Sequence, residues 1–471
     1  MPLAASLEIT PPIADTRAPP PRLAGPIPPA KKLSMFNQLR LMRDQGLETI
    51  PLAAYEQPVF EQNLLWFKSL MISDPAGVKQ VLLDKVANYP KTALERRFLR
   101  IALGDGLLAT EGDTWRAHRR LMAPSFDPRS LVGYAPAMVA STETHLKKWD
   151  ALPAGSTIDA SSEMMYVTLQ IISRTMFSTD SDALVDVVAD TMHALLDIFR
   201  FGPLDILPVV GPWRFRRREL NGKRVVARFD ERIHRLIAER SAAPQVGSDL
   251  LGRLIAARDE DTGIGMTTQE LRDHVVTIFL AGHETTAVAM TWIWYLLSQH
   301  PAVEARLHDE LASVLGGRAP TYEDLPRLTY TRMVIDEAMR LYPPAPGLSA
   351  REALEDDEIA GTPVRKGTII TIMPWVIHRH RALWDEPERF DPERFSPARN
   401  AGRHRFAYIP FGAGPRICVG AALAVTETML ILATMAQRYR LHLVPGHPVE
   451  PQAIVTLRAR RGMKMVPERR N

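Results

Sequence analysis

The stretch FGAGPRICVG, residues 411–420, decides the fold because it contains Cys418. Cys418 is the only cysteine in 471 residues, so it cannot form an internal disulfide bond. A glycine-bearing loop carries it into an apolar helical pattern at 421–440. The free N–H groups and the positive dipole end of a helix N-terminus favour a thiolate. The loop therefore indicates a soft ligand for a transition metal, foremost a haem iron; a buried structural cysteine is the alternative.

Five positions of this loop fit the pattern F-x-x-G-x-R-x-C-x-G, namely Phe411, Gly414, Arg416, Cys418 and Gly420. By chance such a match is expected about once in ten thousand chains of this length. The motif resembles the cysteine loop of the cytochromes P-450, the haem-thiolate monooxygenases. The resemblance continues at Ala424 and Glu427, where the family often has A-x-x-E.

The resemblance implies a haem b cofactor (iron protoporphyrin IX) whose iron is bound axially by Cys418, with Phe411 and Arg416 also contacting the haem. It further implies a mainly α fold with a small β region, a triangular helical prism around the buried haem. The periodicity of the sequence is compatible with this fold. Helical patterns dominate residues 75–345, whereas apolar, aromatic or β-branched segments at 50–69, 368–372, 441–443 and 453–457 predict strands.

Composition and charge limit the function classes. The chain is 46% hydrophobic and 24% charged, and its net charge of +4 without a long basic run argues against nucleic-acid binding. Residues 1–30 contain nine prolines and lack the apolar core of a signal peptide or anchor. We predict an extended leader at 1–30 and, from the resemblance, one catalytic domain at 31–471. The single cysteine is compatible with the cytoplasm, which we expect to be its location.

The longest apolar stretch, residues 275–297, is long enough to cross a bilayer. The sequence HETT at 283–286 places a charge near its centre, however, where lipid would oppose it. We interpret the stretch as the central helix of a soluble protein. Thr267 and Glu270 have the spacing of a capping box, and Pro301 cannot continue a helix, so we predict a helix of about thirty residues between them.

The central helix carries AGHETT at 281–286. A small residue followed by glycine lets a flat ligand approach the backbone, and a carboxylate beside a hydroxyl can relay protons. The segment is similar to the family signature A-G-x-[DE]-T-[ST], in which acid and alcohol deliver protons to dioxygen. The resemblance implies that Glu284 and Thr285 are catalytic and that Ala281 contacts the haem. The alternative is structural: Thr285 bends the helix and Glu284 pairs with a buried arginine.

A second group of residues predicts a structural network. Glu337 and Arg340 stand at i and i+3 of a predicted helix that ends before a proline pair, an arrangement that on its own usually means a solvated pair. The setting resembles the family helix with E-x-x-R, and Arg394 lies in a sequence like the P-E-R-F box. The resemblance implies that both arginines share the Glu337 carboxylate beneath the cysteine loop, and that mutation costs haem incorporation.

Basic residues elsewhere predict haem contacts. Trp115 and Arg119 stand one turn apart and resemble the family motif W-x-x-x-R, so that an indole N–H and a guanidinium can bind one propionate. Arg351 and Arg416 match the other propionate positions of the family. An arginine taken alone is more often a surface charge, but together these residues supply the positive charge that a haem dianion needs.

Electron supply is expected from outside the chain. The chain ends soon after the predicted terminal strands, so we expect electrons from NAD(P)H through a separate ferredoxin- or flavodoxin-type donor and its reductase. An acidic electron donor could dock on a basic face formed by Arg116, Arg120, Arg403, Arg405 and Arg438. The alternative is that these arginines are scattered charges in solvent. The segment 201–218 mixes apolar residues with arginines. The resemblance implies that it covers the substrate channel; contact with a membrane surface and a plain connection between helices are the alternatives.

We therefore expect a monomeric haem-thiolate monooxygenase that uses dioxygen to hydroxylate a mid-sized hydrophobic molecule, such as a fatty acid, terpenoid, steroid or aromatic compound. Two alternatives remain. The same fold could serve as a peroxide-using peroxygenase or a haem isomerase, although these often lack the acid–threonine pair. A non-catalytic haem-binding sensor is the other alternative.

Overall fold

The computed structural model describes residues 22–42, 45–64, 67–178, 210–242 and 249–470. Helices make up most of it: α1 (Met35–Met42), α2 (Pro75–Lys79), α3 (Ala93–Leu103), α4 (Gly112–Met122), α5 (Pro128–Asp150), α6 (Ala160–Phe177), α7 (Val210–Ser241), α8 (Leu250–Ala256), α9 (Thr268–Gln299), α10 (Pro301–Leu315), α11 (Thr329–Leu341), α12 (Pro374–Ile377), α13 (Pro397–Asn400) and α14 (Ala421–Ala436). The prediction of a mainly α fold is confirmed.

The strands are short: β1 (Val59–Leu64), β2 (Phe67–Ile72), β3 (Ile158–Asp159), β4 (Arg351–Glu352), β5 (Asp357–Ile359), β6 (Thr362–Val364), β7 (Ile369–Thr371), β8 (Tyr439–Leu443), β9 (Pro451–Ala453), β10 (Leu457–Ala459) and β11 (Lys464–Arg469). One sheet has the order β1-β2-β7-β4, in which only β2 and β7 are parallel. A second has the order β3-β11-β8, and two hairpins, β5-β6 and β9-β10, complete the set.

The central helix α9 confirms the prediction made from its ends. The Thr267 side chain accepts from the Glu270 N–H, and the Glu270 carboxylate accepts from the Thr267 N–H, which completes the capping box. The helix ends at Gln299, and Pro301 begins α10. Within the described ranges no helix combines the length and apolar character that a membrane span requires.

Helix α9 is buried along most of its length because other helices surround it. It packs against α6, α7, α11 and α14. Trp292 and Trp294 are fully buried, and Trp292 stacks on Tyr342 after α11 with ring centroids 4.2 Å apart. The apolar stretch that is long enough for a bilayer is therefore the axis of the core.

Three of the four strand predictions hold. The segments 50–69, 368–372 and 441–443 overlap β1 with β2, β7, and β8. The prediction of a strand at 453–457 is wrong, because β9 ends at Ala453 and β10 begins at Leu457, so the β-branched residues between them form the turn of a hairpin. Strand β8 pairs with β11, which the sequence did not predict as a strand. Its charged ends and its proline are unfavourable in a strand.

The predicted leader is described only from residue 22, and residues 201–209 of the basic segment also lie outside the described residues. Residues 22–34 form no helix or strand. Ala24 nevertheless donates its N–H to the Tyr295 hydroxyl at 3.0 Å and accepts from the Tyr342 hydroxyl at 2.7 Å. This part of the leader therefore packs on the helical core.

Candidate active site

The cysteine loop is a tight turn that leads into α14. The Cys418 N–H donates to the Phe411 carbonyl at 2.9 Å, which closes the loop, and Gly420 caps the helix. Gly414 has a φ of +68°, and a Cβ atom there would lie 1.9 Å from the Leu82 carbonyl oxygen. Only glycine fits this position, so the glycine of the motif reflects a backbone contact as well as a turn.

The Cys418 side chain is accessible, but the surrounding protein desolvates it. Burial raises the pKa of the thiol above its ordinary value, while the Gly420 N–H and the charge of Arg119 oppose the rise. The expected preference for a thiolate at the helix N-terminus is therefore opposed by desolvation and supported by the Gly420 N–H. Cys418 precedes the helix cap by two residues, where the dipole is already weak. A bound iron would itself stabilise the thiolate.

One face of α9 is open in the middle of the helix, where the flanking stretches 271–280 and 286–297 are buried. Ala281 is exposed and Thr285, one turn later, is half-buried. On another side, the Thr286 hydroxyl lies 3.3 Å from Oε2 of Glu427 in α14, the helix that follows the cysteine loop. Helix α9 is thus held against α14, and the open face is free to line a ligand site.

The acid and the alcohol of the proton-relay motif have separate partners. The Thr285 hydroxyl donates to the Ala281 carbonyl at 2.8 Å. Glu284 is buried, and its Oε1 accepts from the Thr456 hydroxyl at 2.5 Å and from Nε of Arg458 at 2.6 Å. The structural alternative considered above pairs Glu284 with a buried arginine; Glu284 does pair with an arginine here, but Arg458 is only half-buried. The sequence gave no sign of Thr456 or Arg458, since they are 172 and 174 residues away.

The predicted propionate residues gather beside the cysteine loop. The Arg416 guanidinium lies over the Trp115 ring at 3.9 Å, donates to the Thr110 carbonyl at 2.9 Å and pairs with Glu111. Arg119 donates to the Ile417 carbonyl at 2.8 Å, next to Cys418. Arg351 is buried in β4.

These residues fit a dianionic haem. Burial, reinforced by the neighbouring charge of Arg351, lowers the pKa of Arg416 to about 10, and burial with Arg416 nearby lowers the pKa of Lys91 to about 8. The Nε atoms of Arg351 and Arg96 are buried without a hydrogen-bond partner among the described residues. Such a cluster of cations calls for anionic partners beyond Glu111 and Glu95, which two propionates would supply.

The structure brings Glu337, Arg340 and Arg394 together. Glu337 and Arg340 are fully buried and form a bidentate pair with N–O distances of 2.7 and 2.8 Å. Nε of Arg394 lies 3.4 Å from Oε1 of Glu337, too long for a hydrogen bond of the same quality. Arg340 also donates to three carbonyl groups, those of His378, Pro387 and Arg389. This network ties α11 to the 387–394 segment.

The candidate docking arginines are mostly engaged within the protein. Arg120 pairs with Asp259 and Asp261, and Arg438 pairs with Asp150. Arg116 pairs with Asp113, and Arg403 donates to the Arg394 carbonyl and lies over the Trp384 ring. The face is therefore less positive than its sequence suggests; Arg405 is exposed and lies over the Phe406 ring.

Comparison with known proteins decides the family. A family model described as cytochrome P450 matches residues 26–464. The chain is a cytochrome P450. A crystal structure of the cytochrome P450DA haem domain is similar to this P450 with a TM-score of 0.80 and 25% identity, covering 96% of this chain and 98% of that one.

Three curated relatives of this P450 come from Streptomyces. Cyclooctatin synthase of S. melanosporofaciens is 38% identical over 406 residues, which cover 84% of this chain and 85% of that protein. Cyclooctat-9-en-7-ol 5-monooxygenase of the same species is 36% identical, covering 80% and 81%. Pentalenene oxygenase of S. avermitilis is 36% identical, covering 81% and 84%.

Family and relatives together establish the class of reaction. This P450 is a haem-dependent monooxygenase that hydroxylates a hydrophobic substrate with dioxygen and electrons from a redox partner. The peroxygenase, isomerase and sensor alternatives find no support among these relatives. The roles of the individual site residues, the domain boundaries and the cytoplasmic location stay predictions.

Proposed function

We propose that this P450 hydroxylates a cyclic terpene, that Cys418 binds its haem iron, and that Glu284 and Thr285 supply the protons. The observation that carries the proposal is the open face of α9 at Ala281 and Thr285, in a helix that is buried on both sides of this face and packed on the helix after the cysteine loop. The substrate class follows from the three Streptomyces relatives, whose names concern cyclooctatin, cyclooctat-9-en-7-ol and pentalenene.

Haem b would be held by residues from four segments. Cys418 would bind the iron, and Phe411 in the same loop and Ala281 on α9 would contact the haem. Trp115 and Arg119 of α4, with Arg351 and Arg416, would bind the propionates; the support is the buried cation cluster and the unpartnered Nε of Arg351. When bound, the haem supplies dioxygen activation, with a thiolate ligand that favours O–O cleavage.

The chain itself would control protons and water. The Thr285 hydroxyl bonds to the Ala281 carbonyl, and a rotation about χ1 would turn it toward the ligand face. A buried carboxylate next in sequence can replace the proton that the hydroxyl passes on. We infer that Glu284 carries protons from solvent to Thr285, whose hydroxyl hands them to the reduced oxygen.

The electron donor follows from redox chemistry. NAD(P)H gives up a hydride, whereas haem iron accepts single electrons, so a carrier must stand between them. We propose a ferredoxin- or flavodoxin-type protein with its own reductase as that carrier. We also expect the P450 to be a monomer, which size-exclusion chromatography with light scattering checks.

The proton roles are tested with a surrogate ferredoxin, its reductase and NADPH. Thr285→Val and Glu284→Gln should each lower the rate of product formation by about a hundred-fold or more and divert electrons to hydrogen peroxide. Thr291→Val is the matched control, because Thr291 is on the same helix and bonds to the Ala287 carbonyl at 2.8 Å, two turns from the site. Product from added peroxide but none from NADPH would contradict the monooxygenase route.

The substrate class is tested by the change of haem absorbance from low to high spin. Pentalenene and related cyclic hydrocarbons should cause the change at micromolar concentration, while fatty acids and flat aromatic compounds should not. A response to fatty acids alone would contradict the terpene proposal and leave the proton roles untouched.

A further inference from the structure

A groove between α3 and α7 concentrates positive charge outside the candidate active site. It consists of two adjoining concavities of about 430 and 490 Å³, which share Arg97 and Glu219 in their walls. We call it the α3–α7 groove. Its charged side chains are five cations and one carboxylate: Arg96, Arg97, Arg100, Arg216, Lys223 and Glu219. The resulting net charge of +4 is as large as that of the whole chain, so the groove is far more positive than the average surface.

The spacing of the charged residues brings them to one groove. On α3, Arg96 and Arg100 are four residues apart. On α7, Arg216, Glu219 and Lys223 follow one another at intervals of three and four. Residues at these intervals lie on one side of a helix. Two rows of side chains, most of them cationic, therefore face each other across the groove.

An aromatic contact holds the two helices together. The Phe98 and Phe215 rings meet edge to face with centroids 4.7 Å apart, and the Arg97 guanidinium lies over the Phe215 ring at 4.6 Å. Packing therefore fixes the distance between the two charged rows. A site that is formed before its ligand arrives loses less entropy on binding.

The carboxylate of Glu219 cannot neutralise the groove. Its Oε1 is 3.0 Å from Nζ of Lys223, and its Oε2 is 3.3 Å from Nη2 of Arg97. The hydrogen bond from Lys223 is the main cause that lowers the pKa of Glu219, so this group is fully ionised at neutral pH. Both of its oxygens are engaged, and its one charge is shared by two cations.

Two arginines of the groove have no acidic partner among the described residues. Arg96 has a buried Nε without a hydrogen-bond partner, and Arg216 is exposed. Arg100, by contrast, is paired with Asp105 at 2.8 Å. Like charges that line a concave wall attract a counter-anion from solution. Arg96 and Arg216 are therefore available to bind one.

The chemistry of the groove favours a phosphate group over a carboxylate. A phosphate monoester carries about −1.5 to −2 charges at pH 7 and has three acceptor oxygens, so it can accept from both rows of cations at once. A carboxylate has a single charge and two oxygens. The planar fork of a guanidinium also matches phosphate oxygens in a bidentate geometry.

We propose that the α3–α7 groove binds a small organic phosphate or diphosphate between its two rows of cations. Leu94, Pro212 and Phe215 add apolar surface for the organic part of the ligand. A concave site of this size holds one small molecule, whereas a membrane surface is flat. The described residues that line the groove come from α3 and α7 alone. The site is therefore separate from the open face of α9, and it does not depend on the proposed function.

The test is isothermal titration calorimetry of the haem-loaded protein at low salt, with inorganic diphosphate as the probe. Diphosphate should bind at a single site and more tightly than acetate, and its affinity should fall with rising salt because the cations are partly exposed. Phenyl phosphate should bind more tightly than inorganic phosphate, because its ring covers part of the apolar wall. Diphosphate should leave the haem absorbance in its low-spin form, since it does not enter the substrate site.

Variants of the groove should change the affinity in opposite directions. Arg97→Gln with Arg216→Gln removes one cation from each row and should weaken diphosphate binding by about ten-fold or more. Glu219→Gln removes the competing carboxylate and should tighten binding by about two- to five-fold. If the first pair does not fold, Arg216→Gln with Lys223→Gln, two exposed positions, is measured in its place with the same expected loss.

The matched control is Arg224→Gln with Arg235→Gln. It removes two positive charges from α7 outside the groove, where Arg235 pairs with Glu231 at 3.2 Å. The affinity for diphosphate should stay within about two-fold of the wild type. A loss as large as that of the groove variants would mean that general charge attracts the anion, and it would overturn the proposed site.

Three other results would also overturn it. The first is no saturable binding of diphosphate to the wild type. The second is a change from low to high spin on adding diphosphate, which would place the anion in the substrate site. The third is sedimentation with phosphatidylglycerol vesicles, lost in the groove variants, without binding of free diphosphate, which would assign the groove to a lipid surface. The terpene test is independent of all three, because it uses uncharged hydrocarbons.

Discussion

The buried network at Glu337 offers the sharpest test of how the cysteine side of the fold is held. Glu337→Gln keeps the shape of the side chain and removes its charge. The fully buried guanidinium of Arg340 then has no carboxylate partner, and that of Arg394, which is 5% exposed, loses one of its two nearby carboxylates and keeps Asp391. The carbonyl groups that Arg340 contacts satisfy its N–H groups but carry no net charge.

The magnitude follows from this geometry. Breaking a buried pair by removing one partner costs about 3–5 kcal/mol, because the remaining charge is uncompensated. Two buried cations share Glu337, so we expect the upper part of that range. Arg394→Gln should cost less, about 1–3 kcal/mol, since Glu337 keeps its bidentate partner.

The assay is urea unfolding of the haem-loaded protein, followed by tryptophan fluorescence and by haem absorbance. The matched control is Glu231→Gln, which removes the same charge from an exposed pair with Arg235 on α7, where both side chains are more than half exposed. That change should cost no more than about 0.5 kcal/mol. A Glu337→Gln protein as stable as the control, with full haem content, would refute the reasoning.

Three further predictions concern other parts of the site. Gly414→Ala should lower the free energy of unfolding in urea by at least about 2 kcal/mol and reduce the haem content. The control Gly446→Ala, also at positive φ but in open space, should lower it by about 1 kcal/mol. Equal losses for the two variants would show that the Leu82 contact is unimportant. Burial raises the pKa of Glu427 from 4.5 to about 8, so between these pH values this group is ionised only in the unfolded chain. The free energy of unfolding should therefore fall as the pH rises from 4.5 to about 8. Glu427→Gln should make this pH dependence flatter, and an unchanged dependence would mean that other groups cause it. Arg351→Gln should speed haem transfer to apomyoglobin by about ten-fold, while the exposed control Arg365→Gln should leave the rate unchanged.

Sequence motifs of a few residues correctly predicted the features that neighbouring residues determine, such as helix ends and turns. The capping box at Thr267 and the proline at 301 gave the ends of α9, because caps act within a few residues of the helix end. The spacing of Glu337 and Arg340 placed both on one helical face, and their burial followed from the neighbouring motif. In the cysteine loop, the glycine positions indicated a turn, although the Leu82 carbonyl that enforces Gly414 is more than 300 residues away.

Long-range contacts could not be predicted in this way. Nothing near Thr456 or Arg458 signals a bond to Glu284, since a hydroxyl and a guanidinium on a short hairpin occur in many surfaces. The β-branched run at 454–456 even suggested a strand, but the register of β9 with β10 makes it a turn. The pKa of Cys418 also depends on desolvation by the surrounding protein, which raises it and which the sequence did not reveal.

The most direct test of the central claim is the absorbance spectrum of the reduced, carbon-monoxide-bound protein. Wild-type protein should show the band typical of thiolate-ligated haem. Because the chain contains no other cysteine, Cys418→Ala has no second thiolate to offer and should lose that band entirely. A wild-type protein without the band, or a Cys418→Ala protein that keeps it, would contradict Cys418 as the iron ligand and with it the account of this site.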